Sequence, residues 1–323
     1  MKLLSDNIAL ITGVANENSL AWPIAKTAHL HGARVVLSYR GEAEGRRAKK
    51  LAVKIGATTL PCDFTVKEEV EDLFAKIEKT GKLRYAVHSI AFSDRDELQG
   101  AFLDGSEQNF SNTMLVSCYS FIHMARHCAR LMKQNTEIGE NGDCGSIVGL
   151  TYAASNNPQP HYNYMSVAKA GLESAMRNTA YELGAYKIRV NLVSPSPEET
   201  LSARVIRDFR FIGGWAEGMS MLGRRATPEE IANLVVFLLS DRASCVTAQT
   251  IMADCGASVS GMPPLVGMRK IAETTAAVAD KIEGISRLQK SPDIYFENAG
   301  IPGNDEFGDD PADVFRGSTV LSP

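Results

Sequence analysis

Seven short apolar runs recur along this chain, and much of the sequence between them carries the spacing of amphipathic helices. The runs are 8–12, 34–39, 58–63, 84–91, 146–151, 187–193 and 246–254. A run that is apolar at successive positions suits a strand covered on both faces. Helical segments between such strands act as crossovers, and right-handed crossovers lay the strands side by side in one parallel sheet. The pattern predicts an α/β domain: a doubly wound, seven-stranded parallel sheet with helices on both faces. Asn109 to Lys133 reads as one long core helix, with Phe110, Met114, Phe121, Met124 and Leu131 as packing positions.

The length of 323 residues suits one large domain with an appendage. Residues 1–262 hold the alternating pattern. Within them, residues 200–225 form an insertion carrying Phe209, Phe211, Ile212, Trp215 and Met219, enough apolar surface for a lid over a substrate or for an oligomer contact. Residues 263–323 are an acidic C-terminal extension, predicted as one amphipathic helix marked by Ile271, Val278, Ile282 and Ile285, then a Gly/Asp/Pro-rich loop after Gly300.

A formal charge of −4 and a pI near 5.9 give no basic field for nucleic acid. No apolar run is long enough to cross a bilayer, and the first residues lack a secretory apolar core. Six cysteines are scattered with no CxxC pair or metal-ligand spacing. The expectation is a cytoplasmic protein with reduced thiols, no metal, and neither nucleic acid nor membrane as partner.

The first run ends at Gly13, and a small-residue turn leads to a helix whose start Pro23 fixes near Leu20 or Ala21, because proline is tolerated only in a first turn. Strand, small-residue turn and helix N-terminus together can bind phosphate through free N–H groups and the helix dipole. The spacing is not GxGxxG, and an ordinary βα turn has the same composition, so this stretch alone leaves both readings open. Arg40, with Arg46 and Arg47 nearby, stands at the end of the second run, where an arginine suits the 2′-phosphate of NADP and a carboxylate the ribose of NAD. NADPH is therefore expected over NADH, unless Glu42 and Glu44 occupy those arginines. Asp63 falls where an adenine contact is expected, and the small Ser89 and Ala91 let backbone approach a ligand closely.

After the fifth run delivers Tyr152, the chain reaches His161-Tyr162-Asn163-Tyr164-Met165-Ser166-Val167-Ala168-Lys169. In a helix, Tyr162 and Lys169 would lie two turns apart on nearly one face, aiming a phenol and an ammonium into one cleft.

These residues resemble the short-chain dehydrogenase/reductase superfamily, and most closely its bacterial enoyl-[acyl-carrier-protein] reductase branch. The likeness rests on Thr12-Gly13-Val14-Ala15 with Ser19, on Cys62-Asp63, on residues 88–93 and 118–121, and on Thr151-Tyr152. It continues through Tyr162 with Lys169, Arg189-Val190-Asn191, Pro197 with Thr200-Leu201, and residues 238–241, so it spans residues 1 to about 262 in order. Carbonyl-reducing members place the acid/base tyrosine four residues before the lysine, where this chain has Met165. The seven-residue offset of Tyr162 resembles the enoyl reductases.

The resemblance implies a Rossmann-type fold, a homotetramer, and NAD(P)H-dependent reduction of the trans-2 double bond of an enoyl thioester on acyl carrier protein. It implies catalytic roles for Tyr162, Lys169 and Tyr152. Cofactor contacts are implied for Gly13, Ala15, Ser19, Leu20, Arg40, Asp63, Phe64, Ser89, Ile90, Ala91, Lys169, Pro197 and Thr200. A substrate pocket is implied for Phe92, Tyr152, Tyr162, Ala203, Ile206 and Phe209. The sequence departs from the family pattern at Pro23, at Ala153 to Asn156, at Ser166 and at Pro195 to Glu199, where Glu198 is expected to repel the cofactor pyrophosphate unless it turns outward. The competing expectations are a diverged, non-catalytic cofactor-binding or assembly protein, and reduction of another carbonyl or conjugated substrate.

Overall fold

In the computed structural model the described residues are 2–135, 142–200, 203, 206 and 209–276. Among them, the strands are β1 (Ile8–Ile11), β2 (Arg34–Tyr39), β3 (Thr58–Pro61), β4 (Leu83–His88), β5 (Gly145–Leu150), β6 (Ile188–Pro195) and β7 (Thr250–Ala253). They form one sheet in the order β3-β2-β1-β4-β5-β6-β7, every pair parallel. The residues of β1, β4 and β5 are buried throughout, as continuous apolar runs between two helix layers must be.

Helices α1 (Ala21–Leu30), α2 (Gly41–Val53) and α8 (Pro228–Leu239) cover one face. Their Trp22, Ile24, Leu51, Ile231 and Val235 pack with Ile11, Leu37 and Val148 of the sheet. On the other face, α3 (Lys67–Thr80), α5 (Ser120–Met132) and α6 (Asn163–Gly184) bring Leu73, Phe74, Phe121, Met124 and Leu172 against Leu10, Ala86 and Ile147. Helix α8 starts at a capping box: Thr227 accepts from the Glu230 N–H, and Glu230 accepts from the Thr227 N–H and from both Arg224 guanidinium nitrogens at 2.7 Å. Arg189 of β6 ties this layer to the sheet by donating to Asp143 and to the carbonyls of Leu238, Leu239 and Ser240 at the end of α8.

Several element ends differ from expectation. Thr12, Cys62, Asp63, residues 89–91 and Thr151 lie beyond the last paired residue of their strands, because the chain turns off the sheet at its C-terminal edge. The seventh strand begins at Thr250 rather than Val246, since Ala248 sits at φ 60° and breaks the extended run. The long helix expected at 109–133 is α4 (Glu107–Met114), capped by Ser106, then a π turn over Leu115–Tyr119, then α5. In that turn Ser117 Oγ donates to the Phe92 carbonyl at 2.9 Å, which anchors the loop leaving β4.

The 200–225 insertion contains α7 (Phe209–Met219), and its residues 201, 202, 204, 205, 207 and 208 are outside the described set. Helix α9 (Leu265–Ala276) meets α7 so closely that a Cβ on Gly267 would lie 1.7 Å from the Gly218 carbonyl oxygen. The compact unit spans residues 1–272. Residues 273–323 form a second unit, described only over the last four residues of α9, and Val278, Ile282, Ile285 and the loop after Gly300 lie outside the described residues. No helix among the described residues is long and apolar enough to cross a membrane.

Candidate active site

The sheet reverses its winding direction between β1 and β4, and a cavity of about 540 Å³ opens there, at the C-terminal ends of the strands. Gly13 leaves β1 at φ +81°, and a Cβ there would fall 1.9 Å from the Ser89 carbonyl oxygen, so only glycine lets the two exit loops close on each other. Thr12 joins them by donating to the Val87 carbonyl at 3.0 Å and accepting from the Ser89 N–H at 3.1 Å. Past Gly13, Ser19 Oγ accepts from the N–H groups of Ala15 and Asn16, which folds the turn tightly before α1. Helix α1 follows from Leu20 with no side-chain cap on its N-terminus, and Pro23 is its third residue, where proline is tolerated. Leu20 and Ser19 line the cavity, so this positive helix end can hold a phosphate group.

The β2 and β3 ends frame one side. Asp63 accepts from both the N–H and the hydroxyl of Thr65, which fixes its carboxylate at the cavity wall beside Phe64. Arg40 holds its guanidinium 6.0 Å from the Phe92 ring centre, its N–H donates to Glu44, and Arg47 donates to the Ala15 carbonyl at 2.7 Å. Arg46 instead pairs with Glu42 and lies away from the cavity. The Phe92 ring, expected in the substrate pocket, thus turns toward Arg40 at the β2 end.

Tyr162 and Lys169 do meet at this cavity, but not as two residues of one helix. Tyr162 stands immediately before α6, between His161 at φ 59° and Asn163 at φ 38°. Positive φ at the two non-glycine residues that flank Tyr162 is strained, and Asn163 is held by donating to the carbonyls of Glu97 and Gly100. That anchor seats the 94–100 loop, including Leu98, against Tyr162. The Tyr162 ring lies 5.0 Å from that of Tyr152, and Leu98, Met165 and Ile206 pack around the pair. Burial, with Tyr152 alongside, raises the Tyr162 phenol far above its ordinary range, so it stays a proton-bearing donor; burial lifts Tyr152 to about 12.

Lys169 is buried one layer deeper, donating to the Leu150 carbonyl at 2.9 Å. Burial lowers its ammonium to about 8, against the opposing pull of Cys118 and Glu173. Glu173, one turn along α6, accepts from Thr151 and Ser155 and so fastens the β5 exit to the helix that carries the lysine. His88 is wholly enclosed, pairs with Ser120 at 2.8 Å, and is driven down to about 3 by burial and then by Lys169; it is a neutral packing group here.

The residues for which a catalytic, cofactor or substrate contact was expected line this one cavity, Ala203, Ile206, Phe209, Ile90, Ala91, Pro197 and Thr200 included, whereas Arg46, Pro23, Ser166 and Glu199 do not. Sequence reasoning passed over Leu98 and Arg95, whose loop has no periodicity; Arg47 and Glu44, named in the sequence beside Arg40, line the cavity as well. No cluster among the described residues offers three metal-ligating side chains.

A doubly wound sheet with its cavity at the switch point defines a Rossmann-type α/β protein. The family model described as enoyl-(acyl carrier protein) reductase matches residues 13–258. The chain is 42% identical over 262 residues to an enoyl-[acyl-carrier-protein] reductase [NADH] of Rhizobium meliloti, covering 80% of this chain and 93% of that protein. It superposes on the Anaplasma phagocytophilum enoyl-(acyl-carrier-protein) reductase, solved in complex with NAD, with a TM-score of 0.74 at 38% identity, covering 80% of this chain and 96% of the other. On the Bacillus cereus enoyl-acyl carrier protein reductase, solved with NADP+ and an indole naphthyridinone, the TM-score is 0.75 at 36% identity, with 81% and 100% covered. The chain belongs to the enoyl-(acyl carrier protein) reductase family.

Proposed function

We propose that the chain reduces the trans-2 double bond of an enoyl thioester borne on acyl carrier protein, using a nicotinamide dinucleotide bound along the strand ends. The observation that carries this reading is the pairing of Tyr162 with Tyr152 over a buried Lys169, with the buried Met165 four residues before the lysine. A methionine there cannot protonate an alkoxide, whereas a permanently protonated Tyr162 can donate to the oxygen of a thioester that becomes an enolate. The cavity fits the dinucleotide: Gly13 clears its backbone wall, α1 offers an uncapped N-terminus, and Asp63 with Phe64 shapes the far end. When bound, the reduced nicotinamide supplies the hydride that reaches the β-carbon.

Lys169 would hold the nicotinamide ribose of a bound dinucleotide and keep a positive charge behind Tyr162. Leu98, Met165, Ile206 and Phe209 surround the acyl chain and exclude water from the enolate. Mixing the protein with NADH and crotonyl thioester and following the nicotinamide absorbance tests the reading directly. Turnover of a 3-oxo thioester but not of the enoyl thioester would overturn it, and so would binding of NADH without oxidation.

The nucleotide end favours NADH in place of the NADPH expected from Arg40. Arg40 faces Phe92, Arg47 is held on the Ala15 carbonyl, and Glu44, whose carboxylate accepts from the Arg40 N–H, lines the cavity at the same end and would oppose a 2′-phosphate there. The relatives named for NADH support the same choice. NADH is expected to bind on the order of tenfold more tightly than NADPH, with Glu44→Gln narrowing the gap. Tighter binding of NADPH to the wild-type protein would reverse the assignment.

The buried ammonium sets the alkaline limit. Lys169 carries its charge below about pH 8 and loses it above. kcat/KM for the enoyl thioester is accordingly expected to fall with a one-proton slope as pH rises through about 8, since this ratio reports the free enzyme. A flat profile to pH 10 would remove the charged lysine from the mechanism.

A further inference from the structure

Glu198 follows β6 and borders two spaces at once: the main cavity and a recess of about 210 Å³ beside the N-terminus of α1. Its backbone is tethered on both sides. Ser196 donates its N–H to the Ala253 carbonyl and accepts from the Ala226 N–H, each at 3.0 Å, while Arg225 donates to the Pro197 carbonyl at 2.5 Å and the Thr200 N–H donates to the Glu198 carbonyl at 2.7 Å. With its backbone so held, the half-buried Glu198 lines both spaces together with Ser19 and Leu20, at the helix end where the dinucleotide pyrophosphate would sit.

The charged groups around it come from every element that meets there. Glu199 is its neighbour, Glu229 stands in the first turn of α8, and Glu17 lies in the β1–α1 turn; all three carry the same sign. The opposing cations are Lys26 of α1, which shares the recess and lies 3.7 Å from Glu229, and Arg225, which donates to the Pro197 carbonyl and acts on Glu198 with its charge. Bringing a dianionic pyrophosphate to this corner adds like charge in a partly desolvated site, where it acts strongly.

We propose that Glu198 couples dinucleotide binding to the uptake of one proton, so that the neutral carboxylic acid admits the pyrophosphate and the carboxylate opposes it. This rests on the cofactor reading above. Burial raises this carboxyl to about 7 in the free protein; Arg225 pulls against the rise, and the charges of Glu199 and Glu229 add to it. An anion bound beside it raises it further, and a group whose affinity for protons is higher in the complex makes binding tighter as pH falls. The effect lies across neutral pH, below the range in which Lys169 loses its charge.

The test is a titration of the full chain with NADH, followed by nicotinamide fluorescence, at pH values from 6.0 to 7.5. The wild-type Kd is expected to weaken by roughly three- to fourfold over this range, the most that one proton leaving a group of free pKa about 7 allows between these two pH values. Calorimetry at pH 7.5 in two buffers of different ionisation enthalpy should register proton uptake on binding. Glu198→Gln is expected to give a flat profile at the tight, low-pH affinity with no proton uptake, while Glu199→Gln keeps the slope. A flat wild-type profile, or an unchanged slope in Glu198→Gln, overturns the proposal with the cofactor reading intact. Absence of NADH and NADPH binding at every pH overturns both.

Discussion

Replacing Tyr162 by phenylalanine is expected to lower kcat for the enoyl thioester by roughly 10²–10³-fold, the scale for loss of one donor to a developing oxyanion, with Kd for NADH within about twofold. The substitution removes only the hydroxyl. The ring stays in its packing against Tyr152, Leu98 and Met165, and the backbone between His161 and Asn163 is untouched. Steady-state rates with crotonyl thioester, beside a fluorescence titration of NADH, separate the two quantities. Tyr152→Phe should cost less, since Tyr152 supports Tyr162 from the side. A Tyr162→Phe enzyme with unaltered kcat would show that the enolate is stabilised elsewhere.

The second large effect is expected at Gly13. Alanine there would put a methyl group 1.9 Å from the Ser89 carbonyl oxygen, at φ +81° where a side chain is strained. Both faults act on backbone, so neither can be relieved by a rotamer change. Gly13→Ala should destabilise the protein by about 3 kcal/mol and weaken NADH binding at least roughly tenfold, because the β1 and β4 exits must separate and the phosphate turn moves with them. A thermal melt and an NADH titration measure the two consequences. An alanine variant with the wild-type midpoint and Kd would mean that the turn has room the geometry denies it.

Legibility followed the range of the interactions. The strand cores of β1, β2, β4 and β5 were readable because burial between two layers demands continuous apolar residues, and the sheet had to be parallel because helical sequence filled the gaps. The ends of elements were less so. Ala248 at φ 60° and the π turn at Leu115–Tyr119 are set by neighbours distant in sequence, such as Ser117 with Phe92, and leave no local pattern. The adenosine end of the site shows the same division: Arg40 was visible as a charge after a strand, but its placement over Phe92 and the position of Glu44 depend on how α2 packs.

The Tyr162–Lys169 offset and the methionine between them belong to the sequence alone; the resemblance to the enoyl reductases rests on that spacing, and no fold could supply a phenol at Met165. What the tertiary structure decided is how that spacing is used. Tyr162 sits outside α6 on a strained backbone, braced by a loop more than sixty residues earlier through Asn163, while Lys169 retreats onto the Leu150 carbonyl and loses part of its hold on a proton. Burial, strain and the closeness of unlike loops arise only when distant segments share one space, and those are the quantities that turn a pair of residue types into a site.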